Sequence, residues 1–182
     1  MVREACRQYG GDLPVLDSQL ALDLALRILR SSDRKSIFPV YCPRGAFTFN
    51  SNQRIMCYNY FRERVTFQEA ENTCSPIGGS SMLVITNDAE QQAIASYIGR
   101  TNISSDSGVW IGLHDRLTDG VWQWTDGSVY GFNKFAPSEP NGLPGSHCAT
   151  MSPAESMLWV ATNCTDKLGF ICAGRAMYCK SI

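Results

Sequence analysis

Apolar residues at helical spacing predict two helices between residues 66 and 99. In the stretch TFQE, Thr66 stands three residues before Glu69, the arrangement of a capping box, and the helix that it starts is expected to reach about Cys74. In NDAEQQAIASYIG, Asn87 and Glu90 repeat this spacing, and the apolar side chains recur along one helical face. The residues expected to be buried on that face are Ala89, Ala93, Ile94, Tyr97 and Ile98.

From Val109 onward the pattern changes to short runs of aromatic and β-branched residues. The runs VWIGL, GVWQW, MLWV and GFICA are separated by clusters of Gly, Asp, Asn and Pro, as strands are separated by turns. Helices followed by strands and loops predict an α+β domain. Asp126 beside Gly127 is interpreted as a turn residue. Large aromatic side chains are expected in the core rather than on a sugar-stacking surface. These are Trp110, Trp122, Trp124 and Trp159.

The first 41 residues repeat part of a pattern found later in the chain. The stretch beginning at Cys6 aligns with the stretch beginning at Cys74: a cysteine, three residues, Gly-Gly, an apolar strand, a cap residue and a helix. Residues 1–41 are therefore interpreted as a truncated second copy, with an N-terminal extension that docks on the main domain as the alternative. We expect the main domain at residues 42–175 and a C-terminal tail at 176–182.

Composition and charge exclude two classes of partner. The chain has 182 residues, 44% of them apolar, and a formal net charge of −1. It has no run of Lys or Arg that would attract nucleic acid or an anionic membrane, so no nucleic-acid partner is expected. The most apolar stretch, LALDLALRIL, is interrupted by Asp23 and Arg27 and is shorter than the ~20 residues that a membrane-spanning helix needs. No membrane segment is expected in this chain.

The eight cysteines indicate an oxidising compartment. They form an even set without a CxxC pair, and only His114 and His147 are available to help them bind a metal, so disulfides are favoured over zinc. Disulfides persist outside the cytosol, and glycosylation sequons at Asn102 and Asn163 agree with a secreted or extracellular protein. The start, MVREACRQYG, lacks the apolar core of a signal peptide, so we expect that the signal was removed or that the chain is a fragment.

The ordered motifs from Cys42 to Arg175 resemble the C-type lectin-like domain in its long form. VWIGL, GVWQWTDGS, FAPSEPN and the cysteines closing on GFICA occur in order and at compact spacing. The resemblance implies two helices, a small twisted antiparallel sheet, a long-loop region and three disulfides. The implied pairs are Cys42 with Cys57, Cys74 with Cys172, and Cys148 with Cys164. Cys6 and Cys179 are left unassigned and are expected to pair with each other or with another chain.

The same resemblance draws attention to a Glu-Pro-Asn triplet. In sugar-binding members of the family, one calcium is held by the Glu and Asn of this triplet, by an acidic residue just before the next cysteine, and by Asn and Asp after a tryptophan. Here Glu139, Pro140 and Asn141 match, with Pro140 expected cis. The other three positions are occupied by Ser146, Val160 and Ala161. Because calcium takes about six to eight oxygen ligands, we expect no calcium cofactor at this degenerate site.

Three functional hypotheses follow. The first is an extracellular recognition module of the C-type lectin-like class that binds a glycan or protein ligand without calcium at the usual site. The second is a calcium-dependent, mannose-type lectin in which Glu139 and Asn141 still coordinate the ion; calcium titration separates these two. The third is a structural or matrix protein linked through Cys6, Cys179 and the N-terminal helix, which migration with and without reductant would detect. No catalytic constellation is legible in the sequence, so an enzyme is not expected.

Residues 18–29 are predicted to form a helix buried on more than one side, because apolar residues occupy two stripes of it. Removing it should expose an apolar patch on the main domain or on a partner. A chain that begins at Ile37 is therefore expected to be less soluble and less stable than the full chain, as measured by size-exclusion chromatography and thermal unfolding. Equal behaviour of the two chains would show that the segment is a dispensable extension.

Overall fold

A computed structural model describes residues 40–42, 46–51, 54–75, 80–101 and 108–178. The chain divides into two compact units, of which the larger runs from Ala46 to Arg175. In the other unit, strands β1 (Val40–Tyr41) and β10 (Met177–Tyr178) form an antiparallel pair. Residues 1–39 of the predicted repeat, with the helix at 18–29 and Cys6, lie outside the described residues, as do Asn102 and Cys179.

Helix α1 (Phe67–Cys74) begins as the sequence predicted. The Thr66 hydroxyl accepts a hydrogen bond from the Glu69 backbone N–H (3.4 Å), and the Glu69 carboxylate accepts one from the Thr66 N–H (2.8 Å). Helix α2 (Asp88–Gly99) begins after Asn87, whose side-chain oxygen accepts a hydrogen bond from the N–H of Glu90 at 2.9 Å. Both predicted caps are confirmed, because each depends only on residues three positions apart.

The buried face of α2 differs from the predicted one. Ile94 and Ile98 are buried as expected, but Ala89 is exposed, while Glu90 and Gln91 are buried. The Glu90 carboxylate accepts hydrogen bonds from the Tyr58 hydroxyl and from the backbone and hydroxyl of Thr86. Gln91 accepts a hydrogen bond from the Trp159 indole N–H (3.0 Å) and donates one to the Met157 carbonyl (2.8 Å). Burial of these polar groups is tolerated because their hydrogen bonds are satisfied.

The strands of the larger unit form one mixed sheet, in the order β2-β3-β9-β5-β7-β8, with β4 paired to β9 and β6 paired to β5. Their bounds are β2 Phe47–Ser51, β3 Arg54–Val65, β4 Ser81–Met82, β5 Val109–His114, β6 Gln123–Trp124, β7 Cys148–Ser152, β8 Leu158–Thr162 and β9 Leu168–Arg175. All described strand pairs of this sheet but one are antiparallel, as the resemblance implied. Strands β5 and β9 are parallel, with Val109 opposite Gly169 and Trp110 opposite Phe170. Strand partners that are distant in sequence are not encoded in local alternation.

The core lies between this sheet and the helices, and three of the four tryptophans belong to it. Trp110, Trp124 and Trp159 are buried, as predicted. Trp122 is the exception: it is half-buried and packs edge to face on Phe135, with ring centroids 4.9 Å apart. The expected turn at Asp126 is present, since its carboxylate accepts a hydrogen bond from the Ser128 N–H at 2.9 Å.

Disulfides fasten the ends of the core elements. Cys74 at the end of α1 is bonded to Cys172 in β9, and Cys148 at the start of β7 is bonded to Cys164 in the turn after β8. These are the pairs that the resemblance implied. Cys42 and Cys57 are also disulfide-bonded. Chain-entropy models give such cross-links about 3 to 5 kcal/mol each, because they restrict the unfolded chain.

Gly112→Ala is expected to lower the free energy of unfolding by about 1–3 kcal/mol. In β5, an added Cβ would lie 2.7 Å from the Thr125 hydroxyl oxygen and 3.1 Å from the Leu83 carbonyl oxygen. That carbonyl accepts the Gly112 N–H at 2.7 Å, so it cannot retreat without loss of a hydrogen bond. The measurement is equilibrium unfolding in guanidinium chloride.

Gly99→Ala is the matched control. A Cβ there meets no atom within 4 Å, and alanine favours a helix over glycine by about 1 kcal/mol, so stability should be unchanged or increased. Equal destabilisation by both substitutions would contradict the packing argument at Gly112.

Candidate ligand-binding loop

The Glu-Pro-Asn loop, residues 135–147, is fixed against β8 at its start and by a disulfide at its end. The Trp159 N–H donates to the Lys134 carbonyl, and the Ala136 N–H donates to the Trp159 carbonyl, both at 2.8 Å. The next residue after the loop, Cys148, is bonded to Cys164. The loop is therefore held by backbone hydrogen bonds at its start and by a disulfide just after its end. The residues between these two points can present side chains.

Glu139 organises the middle of this loop. One carboxylate oxygen, Oε2, accepts hydrogen bonds from the N–H groups of Asn141 and Ala161, both at 3.0 Å. The other, Oε1, accepts from the Asn141 side-chain amide at 3.0 Å. The Asn141 side-chain oxygen in turn accepts from the Leu143 N–H at 2.9 Å, and the Glu139–Pro140 peptide bond is cis, as expected. A charged acceptor with three donors makes a strong local framework.

The side chains matched to calcium ligands do not supply what that ion takes. The three carboxylate contacts of Glu139 are all made with protein N–H groups. Val160 and Ala161 carry no side-chain oxygen, and as consecutive residues of β8 they point to opposite faces of the strand. Ser146 contributes at most one neutral hydroxyl. Calcium takes about six to eight oxygens, several of them charged, so this donor set does not fit it.

A contact that the sequence did not reveal joins the Glu-Pro-Asn loop to residues 115–120. The His147 ring nitrogen Nδ1 lies 3.1 Å from one carboxylate oxygen of Asp115 and 3.8 Å from Asp119. The Asp115 N–H donates to the His147 carbonyl at 3.1 Å, and its carboxylate accepts from the Gly120 N–H at 2.8 Å. Asp115 is nearly fully buried. The partners are distant in sequence and have no motif spacing, so only the fold brings them together.

Asp115, Asp119 and His147 are also the one group among the described residues whose metal-ligating atoms all lie within 4.8 Å of one another. Asp115 and His147 already link the two loops through the hydrogen bonds just described. We therefore assign no ion to this group. His114 has no part in this cluster. It is buried in β5, and burial lowers its pKa, an effect to which the nearby Arg116 guanidinium adds.

The two linked loops present a mixed polar and apolar surface. In the Glu-Pro-Asn loop, Asn141 is exposed and the Leu143 side chain is 58% exposed. In the loop after β5, Leu117 and Val121 are also exposed. Loops held on a rigid scaffold commonly supply binding residues, and these exposed side chains are accessible to a ligand. Asn141 belongs to the Glu-Pro-Asn motif, whereas Leu117, Val121 and Leu143 belong to no motif that a sequence pattern could identify.

Comparison with known proteins identifies the family to which this chain belongs. The sequence pattern of the family described as Lectin C-type domain matches residues 63–174. The chain is 35% identical over 133 residues to regenerating islet-derived protein 4 of Mus musculus, covering 72% of this chain and 80% of that protein. The chain belongs to the C-type lectin domain family. The matched residues do not include the repeat at 1–41, so the comparisons do not support a truncated second copy.

Solved structures of C-type lectin domains share the fold. Human lithostathine superposes with a TM-score of 0.66 at 26% identity, covering 74% of this chain and 91% of that one. A protein described as a calcium-independent type II antifreeze protein superposes with a TM-score of 0.65 at 25% identity, covering 78% and 100%. The fold and the family make this chain a recognition module of the C-type lectin class.

Glu139→Ala is expected to lower the free energy of unfolding by about 1–3 kcal/mol, because it leaves the partly buried Ala161 N–H without its acceptor. Glu139→Gln should cost less, since an amide oxygen can still accept that hydrogen bond. Denaturant unfolding measures both. The control is Glu155→Ala in the exposed β7–β8 turn, which should change stability by less than about 0.5 kcal/mol. A Glu139→Ala variant as stable as this control would show that the framework does not hold the loop.

Proposed function

We propose that this C-type lectin domain recognises a glycan or protein ligand through the Glu-Pro-Asn loop, without calcium at that loop. The observation that carries the proposal is the hydrogen bond from the Ala161 N–H to Glu139. This hydrogen bond occupies a carboxylate oxygen that a calcium ion would need. The side chains of Val160 and Ala161, at two of the other matched ligand positions, are apolar. The loop is thereby held in shape by the protein itself, and a ligand meets a preformed surface.

The alternative, a calcium-dependent mannose-type lectin, has less support. It requires Glu139 and Asn141 to exchange their mutual hydrogen bond at 3.0 Å for coordination, with one matched carboxylate to offset a divalent charge. This chain resembles a structure described as calcium-independent, which supports the view that the fold is stable without calcium. Recognition rather than catalysis is proposed for the chain, in line with the relatives that it resembles.

We also propose that the protein works outside the cell. The disulfides Cys74–Cys172 and Cys148–Cys164 require an oxidising compartment to form and persist. Neither described helix has the length and apolar character to cross a bilayer. The disulfide-linked assembly through Cys6 and Cys179, and the docking of the N-terminal segment on a partner, remain predictions, which migration with and without reductant tests.

Adding millimolar-order calcium, or removing it with a chelator, is expected to leave the melting temperature and glycan binding unchanged. A ligand that does not bind the native state cannot stabilise it by mass action. Differential scanning fluorimetry measures the first quantity, and a glycan array that includes mannan measures the second. A calcium-dependent rise in melting temperature that Glu139→Ala abolishes would overturn the proposal.

Two exposed apolar residues provide the matched variants for the binding surface. Leu143→Ala, in the Glu-Pro-Asn loop, is expected to weaken ligand binding about tenfold or less, as loss of one exposed apolar contact does. Val129→Ala changes a side chain that is 88% exposed in a different loop and should leave binding unchanged. Equal binding by both variants and the unmodified chain would place the ligand elsewhere.

A further inference from the structure

Asn163 stands at the rim of the Glu-Pro-Asn loop and begins the acceptor pattern Asn-Cys-Thr at residues 163–165. The residue is exposed, in the turn between β8 and β9. Its side-chain oxygen accepts hydrogen bonds from the Thr165 N–H (3.0 Å) and the Thr165 hydroxyl (2.9 Å). The acceptor oxygen is thus engaged with Thr165, and these bonds do not involve Nδ2, the atom to which an N-linked sugar is attached.

That nitrogen faces the loop. A Cβ added at Gly145 would lie 3.0 Å from Asn163 Nδ2, and the Gly145 carbonyl accepts the Cys164 N–H at 3.4 Å. The disulfide Cys148–Cys164 holds the two segments in this relation. Gly145 has φ +84° and no side chain, so its backbone approaches the amide closely. A group attached to Nδ2 therefore begins beside Gly145, at the edge of the Glu-Pro-Asn loop.

We propose that Asn163 carries an N-linked glycan and that this glycan shields the rim of the Glu-Pro-Asn loop, so that large ligands reach the loop less readily than small ones. The shielding part rests on the proposed function of that loop; the occupancy of Asn163 does not. The donor is a lipid diphosphate-linked oligosaccharide of the secretory pathway. Its anomeric carbon forms a bond to Nδ2 as the bond to the diphosphate oxygen breaks, and the amide loses one proton.

The physical basis of the shielding is excluded volume. An N-linked glycan is bulky, hydrated and mobile, and it stays at the surface. Its anchor lies beside Gly145, two residues from the exposed Leu143. A protein-sized ligand or a branched polysaccharide must displace this volume to reach Leu143 and Asn141, whereas a short sugar passes beneath it. The expected effect is a slower association with large ligands and no change for small ones.

Occupancy is tested on the full chain secreted from mammalian cells. Enzymatic release of N-glycans converts each occupied asparagine to aspartate, and peptide mapping locates the conversion. Conversion at Asn163 is expected, and an unconverted Asn163 would overturn the proposal whatever the chain binds. Asn163→Asp is the matched variant, because it keeps an oxygen that accepts from Thr165 and removes the acceptor nitrogen. Enzymatic deglycosylation of the unmodified chain gives the same comparison without a substitution.

Shielding is tested with a probe that does not depend on the natural ligand. The probe is a Fab raised against the unglycosylated chain and selected for loss of binding to Leu143→Ala. It should associate with the glycosylated chain at least threefold more slowly than with the deglycosylated chain or with Asn163→Asp. Asn102→Asp, which removes the other sequon, should leave the slow association of the glycosylated chain unchanged. Equal association rates for glycosylated and deglycosylated chains would refute the shielding.

The same chains separate this proposal from the proposed function. If the deglycosylated chain binds no glycan on the array, glycan recognition through the loop fails, while the Fab rates still decide the shielding. If the deglycosylated chain binds mannan and the glycosylated chain binds it equally well, recognition stands and the shielding is refuted.

Discussion

Trp159 in β8 is the residue on which the arrangement of the core and the loop depends. Its ring is fully buried, and its indole N–H donates to Gln91 of α2. Its backbone N–H and carbonyl bond to Lys134 and Ala136, at the start of the Glu-Pro-Asn loop. One large aromatic residue with a satisfied N–H thus ties a helix, the sheet and the candidate binding loop together. The rings that meet it edge to face are Trp124, Phe132 and Phe135.

The hydrogen bonding of Glu139 depends on the position of Trp159. Because Trp159 fixes β8 beside the loop, the N–H of Ala161, two residues along the strand, points at the Glu139 carboxylate and bonds to it. A carboxylate that accepts hydrogen bonds from Ala161 and Asn141 stabilises the loop from within. In the proposed function, the ligand meets the side chains that remain exposed on this loop, chiefly those of Asn141 and Leu143.

Local patterns predicted local structure well. The capping box of Thr66 and Glu69 depends on a spacing of three residues, and it was found as expected. The face of α2 was predicted less well, because Glu90 and Gln91 are polar and were not among the residues expected to be buried. Their burial is stabilised by the Tyr58 hydroxyl and the Trp159 indole, which lie far away in the chain. Periodicity measures the polarity of a side chain and carries no information about a distant partner that satisfies it.

The sequence alone determined the helix caps, the turn at Asp126, the burial of three of the four tryptophans and, through the order of its motifs, the C-type lectin class. It also determined that Val160 and Ala161 carry no side-chain oxygen at positions where the family's calcium-binding members have Asn and Asp. Tertiary structure decided the parallel pairing of β5 with β9 and the contact of His147 with Asp115. It decided as well that the Glu139 carboxylate turns to the Ala161 N–H. The features that the sequence determined depend on dihedral preferences and on spacings within a few residues. The features that tertiary structure decided depend on packing, which brings groups that are distant in sequence within hydrogen-bond distance of one another.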